Sequence, residues 1–137
     1  MNIRTFALVF GVVYTLAGIA GFIPALVTPP TDMADGMAHG RLLGLFPVNT
    51  LHNLVHLAFG VWGLAAYFRG GAQLYARVVA VSYAVLTVMG FIPGLNTLFG
   101  LVPLYGHDIW LHAVLAVIAA YFGWGVRTTS EPLAVSR

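Results

Sequence analysis

Long apolar stretches separated by short polar segments dominate this chain. Four of them are long enough to cross a bilayer as a helix of about 20 residues, and they cover residues 6–27, 50–68, 74–92 and 108–126. Residues that end helices separate them: Pro29-Pro30, Arg69-Gly70-Gly71 and Pro93-Gly94. The pattern predicts an all-α fold, an integral membrane four-helix bundle over residues 1–127 with a short cytoplasmic tail over 128–137.

Composition agrees with a bilayer rather than water as the solvent. Hydrophobic residues make up 60% and charged residues 7% of the 137 residues, whereas soluble domains carry roughly 25% charged residues. The chain has no Cys, which excludes disulfides and thiolate metal ligands. The net charge is only +2, without a basic cluster, so a nucleic-acid partner is not expected.

The arginines predict how the bundle is oriented. All six basic residues are Arg, and only Arg41 falls on the predicted outer side. The other five precede the first span, flank the second loop or follow the fourth span: Arg4, Arg69, Arg77, Arg127 and Arg137. Because Arg and Lys accumulate on the cytoplasmic side, both termini are predicted to be cytoplasmic.

The two halves of the chain resemble each other. Gly-Phe-Ile-Pro occurs at 21–24 and again at 90–93, and Tyr14 and Tyr83 share the same 69-residue offset. Further along, His56 and His112 are 56 residues apart, as are Pro47 and Pro103. We infer an internal duplication: two hairpin repeats in parallel orientation, related by a pseudo-two-fold axis along the membrane normal.

A His/Asp group opens the second and fourth spans. His52 and His56 are four residues apart, and the repeat aligns them with Asp108 and His112. Residues at i and i+4 share one helix face, so the predicted axis brings all four towards each other near the outer end of the bundle.

Three interpretations of this group remain open. Three imidazoles and a carboxylate suit Zn, Fe, Mn or Cu, with His52, His56, Asp108 and His112 as metal ligands. Alternatively, His56 and His112 alone bind a haem or a chlorophyll-type pigment as axial ligands. In the third interpretation the group is structural: His56 and His112 hydrogen-bond across helices, His52 is solvated near the interface, and Asp108 caps the fourth helix. Asn49, Asn53 and Tyr105 are candidates to support the imidazoles.

One segment resembles a known family. Leu45-Phe46-Pro47-Val48-Asn49 leads into His52-Asn53 and His56, and Asp108 to His112 forms a related segment. These segments resemble those of the bacterial four-helix membrane proteins grouped as domain of unknown function 4383, although Ile109 stands where Asn is more usual. The resemblance implies the four-helix fold, its topology and a bacterial inner membrane. It implies no activity.

Small size, little charge and the lack of an extramembrane domain favour a non-enzymatic structural or accessory subunit of a larger membrane complex. The expected partners are the lipid bilayer and other membrane proteins or a second copy. The alternative is a metal-, haem- or pigment-binding membrane protein that uses the His/Asp group. An enzyme is not expected, because Cys is absent and Ser is scarce.

Overall fold

A computed structural model describes residues 1–29 and 40–126. Four helices lie in this part of the chain, and each is long and apolar enough to cross a membrane. Their bounds are α1 Ile3–Ala20, α2 Thr50–Arg69, α3 Ala72–Gly90 and α4 His107–Ala120. A π-helical turn, Tyr121–Gly125, continues α4. The predicted all-α membrane bundle is therefore confirmed, while the polar residues of the first loop (Asp32, Asp35, His39) and the tail at 128–137 lie outside the described residues.

With the π-helical turn counted in α4, the helix ends differ from the predicted ones by up to three residues, except at the end of α1, and two of them change the interpretation. The first helix ends at Ala20 rather than near residue 27, because Pro24 has no backbone N–H to continue it and begins a 3₁₀ turn at Pro24–Leu26. The fourth begins at His107 with Gly106 as its N-cap. Asp108 therefore lies inside the first turn, and the predicted capping role of Asp108 is wrong.

A small sheet that the apolar pattern did not predict lies next to the start of α2. Its strands are β1 Val27–Thr28, β2 Gly40–Leu42 and β3 Phe46–Val48, paired antiparallel in that order. Strands this short leave no alternating pattern in the sequence. Leu43 (φ 54°) and Gly44 (φ 72°) form a tight left-handed turn between β2 and β3, and the sheet places buried Pro47 and Val48 beside the bundle.

The bundle consists of two antiparallel hairpins, since α1 packs mainly against α2 and α3 against α4. The start of α1 lies at the end of α2, where Arg4 donates to the Tyr67 carbonyl (3.1 Å). The start of α3 lies at the end of α4, where Gln73 donates to the Gly123 carbonyl (3.3 Å). These two hydrogen bonds are equivalent under the inferred repeat. Arg4 aligns with Gln73, and Tyr67 aligns with Gly123.

Other contacts follow the same correspondence. The rings of Tyr14 and Tyr83 stack with centroids 5.8 Å apart, between α1 and α3. Gly21 lies against Asn53 in the first hairpin, and Gly90 lies against Ile109 in the second. The internal duplication stays a prediction, which these paired contacts support.

Aromatic side chains fill much of the core of the bundle, and its outer surface is apolar. Phe6, Tyr75 and Phe122 meet in the core, with Phe6 stacked on Phe122 at 4.9 Å between centroids. Large apolar side chains such as Leu16 and Val117 remain exposed. An exposed apolar surface of this kind is solvated by lipid rather than by water, which agrees with a multi-pass membrane protein.

Asn49 holds the start of α2 and connects it to the loop before α4. Its side chain accepts from the His52 backbone N–H (2.8 Å) and donates to the Leu101 carbonyl (2.8 Å). Asn49→Ala should lower the free energy of unfolding by about 1–2 kcal/mol, because an N-cap and a second hydrogen bond are lost. Thermal unfolding in detergent measures this. Thr50→Ala, one residue later and exposed, is the control, and equal stability of the two variants would contradict the role of Asn49.

Candidate metal site

The starts of α2 and α4 bring three ligand-type side chains together. His52 comes from the first turn of α2, and Asp108 and His112 come from the first two turns of α4. One donor atom from each lies within 4.8 Å of the others. The three residues are only 5%, 2% and 2% exposed, respectively. Two imidazoles and one carboxylate thus meet in a nearly dry part of the bundle.

The ring of His52 is fixed by the strand before α2. Its Nδ1 lies 3.1 Å from the Pro47 carbonyl oxygen. Because a carbonyl only accepts, the proton of this bond lies on Nδ1, which leaves Nε2 with a free lone pair. Histidines that bind metals commonly hold their second ring nitrogen in this way.

Other polar atoms of the site have no such partner. Asp108 Oδ2, His56 Nδ1 and His112 Nδ1 are buried, and no hydrogen-bond partner from residues 1–29 or 40–126 lies within reach of them. The contact between His52 Nδ1 and Asp108 Oδ2 is 4.0 Å, which is too long for a hydrogen bond. These three atoms make no hydrogen bond across helices among the described residues, and the structural interpretation of the group stays a prediction. Buried polar atoms without partners are rare in proteins, and a bound ion is one explanation for them.

His56 flanks this group rather than joining it. It lies one turn further along α2, with its ring centroid 4.8 Å from that of His52. Its other neighbour is Tyr14, whose ring meets it edge-on at 5.7 Å. Three of the four residues predicted to bind metal lie together in the structure: His52, Asp108 and His112. The fourth, His56, lies beside them.

The tyrosines next to the histidines were not predicted as part of the site. Tyr83 packs edge-on against His112 at 4.7 Å, as Tyr14 does against His56. The sequence showed both offsets of the repeat, one for the tyrosines and one for the histidines. Pairing each tyrosine with the histidine of the same repeat, Tyr14 with His56 and Tyr83 with His112, would have predicted these contacts. Elsewhere, Asn49 caps α2 instead of contacting an imidazole ring, and His107 is exposed.

A cavity of about 160 Å³ opens beside the converged side chains. Its remaining wall is mainly apolar and is contributed by α1, the sheet and α4: Ala17, Leu42, Phe46, Val48, Leu111 and Leu115. Pockets for drug-sized ligands hold about 300–1,000 Å³, and a haem or chlorophyll-type pigment is larger still. The cavity therefore favours a single ion, with or without a small ligand, over axial ligation of a tetrapyrrole by His56 and His112.

Comparison with known proteins gives a family without an assigned activity. No curated protein matches the chain, and no solved structure matches it. A family model, described as Domain of unknown function (DUF4383), matches residues 4–125. That range includes all four helices, the sheet and the candidate site, and the chain therefore belongs to the DUF4383 family.

Proposed function

We propose that this protein binds a divalent transition-metal ion through His52, Asp108 and His112. The observation that carries the proposal is the convergence of these three donors within 4.8 Å. Asp108 Oδ2 and His112 Nδ1, which have no hydrogen-bond partner in the described part of the chain, add to it, because a buried polar atom without a partner is costly. A cation between the side chains removes that cost.

The donor set indicates which ions fit. Two histidines and one carboxylate are a known combination for Zn²⁺ and for non-haem Fe²⁺. Donors that share a tetrahedral Zn²⁺ at about 2.0–2.1 Å lie roughly 3.4 Å from one another. A spacing at the 4.8 Å limit of the group therefore has to close by about 1.4 Å when metal binds, which rotations of these side chains can supply.

Three protein ligands leave a coordination position for a further ligand. His56, which lines the same cavity, is placed to occupy it or to contact whatever does. We propose binding rather than catalysis. The described residues that line the cavity include no Ser, Thr or Lys, so no nucleophile of those types faces the site.

We further propose that the site lies at the outer face of a bacterial inner membrane. Arg4, Arg69 and Arg77 lie at the bundle end opposite to the sheet and the candidate site. The positive-inside rule then assigns that end, and with it both termini, to the cytoplasm.

The second candidate function is the accessory subunit of a larger membrane complex. Leu43 and Phe99, which lie in loops outside the four helices, are 64% and 74% exposed. Both adopt left-handed backbone conformations that L residues seldom take. Such side chains contact either lipid or another protein, and this candidate requires that they contact a protein partner.

One preparation tests both candidates. The protein is extracted from its native membrane in mild detergent, and metal content and co-migrating proteins are measured on the same sample. About one Zn or Fe per chain supports the metal site. A metal-free chain that does not take up added Zn²⁺ or Fe²⁺ contradicts it. Co-migration of stoichiometric partners supports the accessory role, and a homogeneous preparation without partners contradicts that role.

A further inference from the structure

We propose that the cavity beside the metal site binds a small phenol-class ligand, with the ring in the apolar cavity and the oxygen on the metal. This inference rests on the proposed metal site and names the ligand that the remaining coordination position takes. Three properties of the cavity lead to it: its size, its division into a polar and an apolar end, and the position of its mouth.

The size fits a single six-membered ring. An apolar cavity of about 150 Å³ in a protein interior is known to bind benzene, and this one holds about 160 Å³. Phe46 and Tyr83 contribute aromatic rings to its wall, and aromatic rings pack well against one another at offset or edge-on angles. A fused ring system exceeds the space, and an alkyl chain on the ring has to leave through the mouth of the cavity.

Most polar groups of the wall lie where the metal ligands meet, and Asn53, which lies against Gly21, is a further polar residue of the wall. Asp108, His112 and the flanking His56 lie there, whereas Leu42, Val48 and Leu115 supply apolar wall. A ligand that complements such a cavity has one polar atom and an apolar body. A single oxygen donor also suits the hard or borderline ions that a His₂Asp set selects.

The mouth indicates how the ligand arrives. Two wall residues, Leu43 from the sheet turn and Leu111 from α4, are themselves 64% and 37% exposed. Leu111 belongs to a predicted membrane span, so the cavity opens towards lipid at its edge. A phenol is uncharged near neutral pH and crosses such a rim, whereas an ionised carboxylate loses its hydration there at a large cost.

The test uses the whole protein in lipid nanodiscs, loaded with Co²⁺ as a spectroscopic substitute for Zn²⁺. The probes are 4-ethylphenol, which is dissolved in the buffer, and 4-dodecylphenol, which resides in the bilayer. Ethylbenzene has the same ring without the oxygen. We expect a saturable change of the cobalt d–d absorption with the phenols and none with ethylbenzene. A response to dodecylphenol alone identifies the membrane as the source, and a response to both shows that dissolved phenols also enter.

Two variants locate the ligand in the cavity. Ala17→Phe fills the cavity from α1, and Leu115→Phe fills it from α4, so either should weaken the response to phenol at least about tenfold while cobalt still binds. Leu16→Phe is the matched control. It adds a ring to the adjacent position of α1, which is 60% exposed, and should respond like the unchanged protein.

The outcomes separate this inference from the metal site itself. Cobalt at about one per chain without a response to either phenol overturns the ligand and leaves the metal site intact. An equal response to ethylbenzene overturns the oxygen donor, and full responses in both cavity-filling variants overturn the location. Failure of cobalt to bind overturns the metal site and this inference together.

Discussion

Asp108→Asn should abolish metal binding while leaving the metal-free protein at least as stable as before. The amide keeps the shape of the carboxylate but loses the charge that attracts the cation. Bound metal should fall from about one per chain to below about one-tenth. At a free-metal concentration one hundred times Kd, the unchanged protein should gain about 2.7 kcal/mol from the metal, and the variant should gain none. Elemental analysis and thermal unfolding with and without chelator measure both quantities.

Comparing the stability of Asp108→Asn with that of the unchanged protein, both without metal, distinguishes a metal ligand from a structural residue. Asp108 is buried and its Oδ2 has no partner among residues 1–29 and 40–126, so an amide of the same shape breaks no hydrogen bond of that oxygen. If Asp108 instead made a hydrogen bond across helices, its replacement would destabilise the bundle by about 0.6–2 kcal/mol. A destabilised variant that still binds metal would contradict the proposed site.

Neighbouring histidines supply the controls. His107→Ala changes an exposed residue next to Asp108 and should leave metal binding unchanged. His112→Ala should behave as Asp108→Asn does towards metal. His56→Ala should weaken affinity by about 10–100-fold without abolishing binding, as expected of a residue beside the ligands. Equal losses in His56→Ala and His112→Ala would point to four ligands instead of three.

Gly63→Leu should separate α1 from α2 and cause the largest loss of stability of any helix substitution proposed for this protein. A Cβ at position 63 would lie 2.8 Å from Gly11 Cα and 2.7 Å from the Tyr75 hydroxyl. The backbone at Gly11 cannot turn aside as a side chain can, so the helices have to move apart. We expect a loss of more than about 3 kcal/mol in the free energy of unfolding, at or above the usual cost of overpacking.

The smaller substitution, Gly63→Ala, tests whether a side chain at position 63 raises or lowers the free energy of unfolding. Without the close contact, Gly63→Ala would stabilise a helix interior by roughly 0.5–1 kcal/mol. With the contact it should destabilise. Ala58→Leu adds a larger side chain to an exposed position of the same helix and serves as the control. Thermal unfolding in detergent compares the three variants, and a stabilised Gly63→Ala would contradict the close approach of α1 and α2.

The helices were predictable because each depends on a local property of the sequence. Apolar runs of about 20 residues form helices wherever a bilayer provides no partner for the backbone, so four helices followed from the pattern without tertiary information. Their ends were less predictable. Pro24 prevents α1 from continuing although the apolar residues Leu26 and Val27 extend the run, and hydrophobicity alone does not register such a stop.

The candidate site was predictable in membership but not in arrangement. The i, i+4 spacing and the repeat placed His52, His56, Asp108 and His112 together in one group. Which of them converge depends on the rotation of α2 against α4. Long-range packing sets this rotation. The fact that His52 and His56 share one helix face does not determine it.

From sequence alone, then, came the membrane class, the four helices and the residue types available for a site, because composition and helical period are local quantities. Only the tertiary structure decided that His56 flanks the group and that Pro47 fixes the His52 ring. It also decided that an apolar cavity adjoins the donors, because the strands that wall it are too short to leave a sequence pattern. Each of those features depends on atoms brought together from different helices and from the sheet, and the relative position of such elements is fixed by packing.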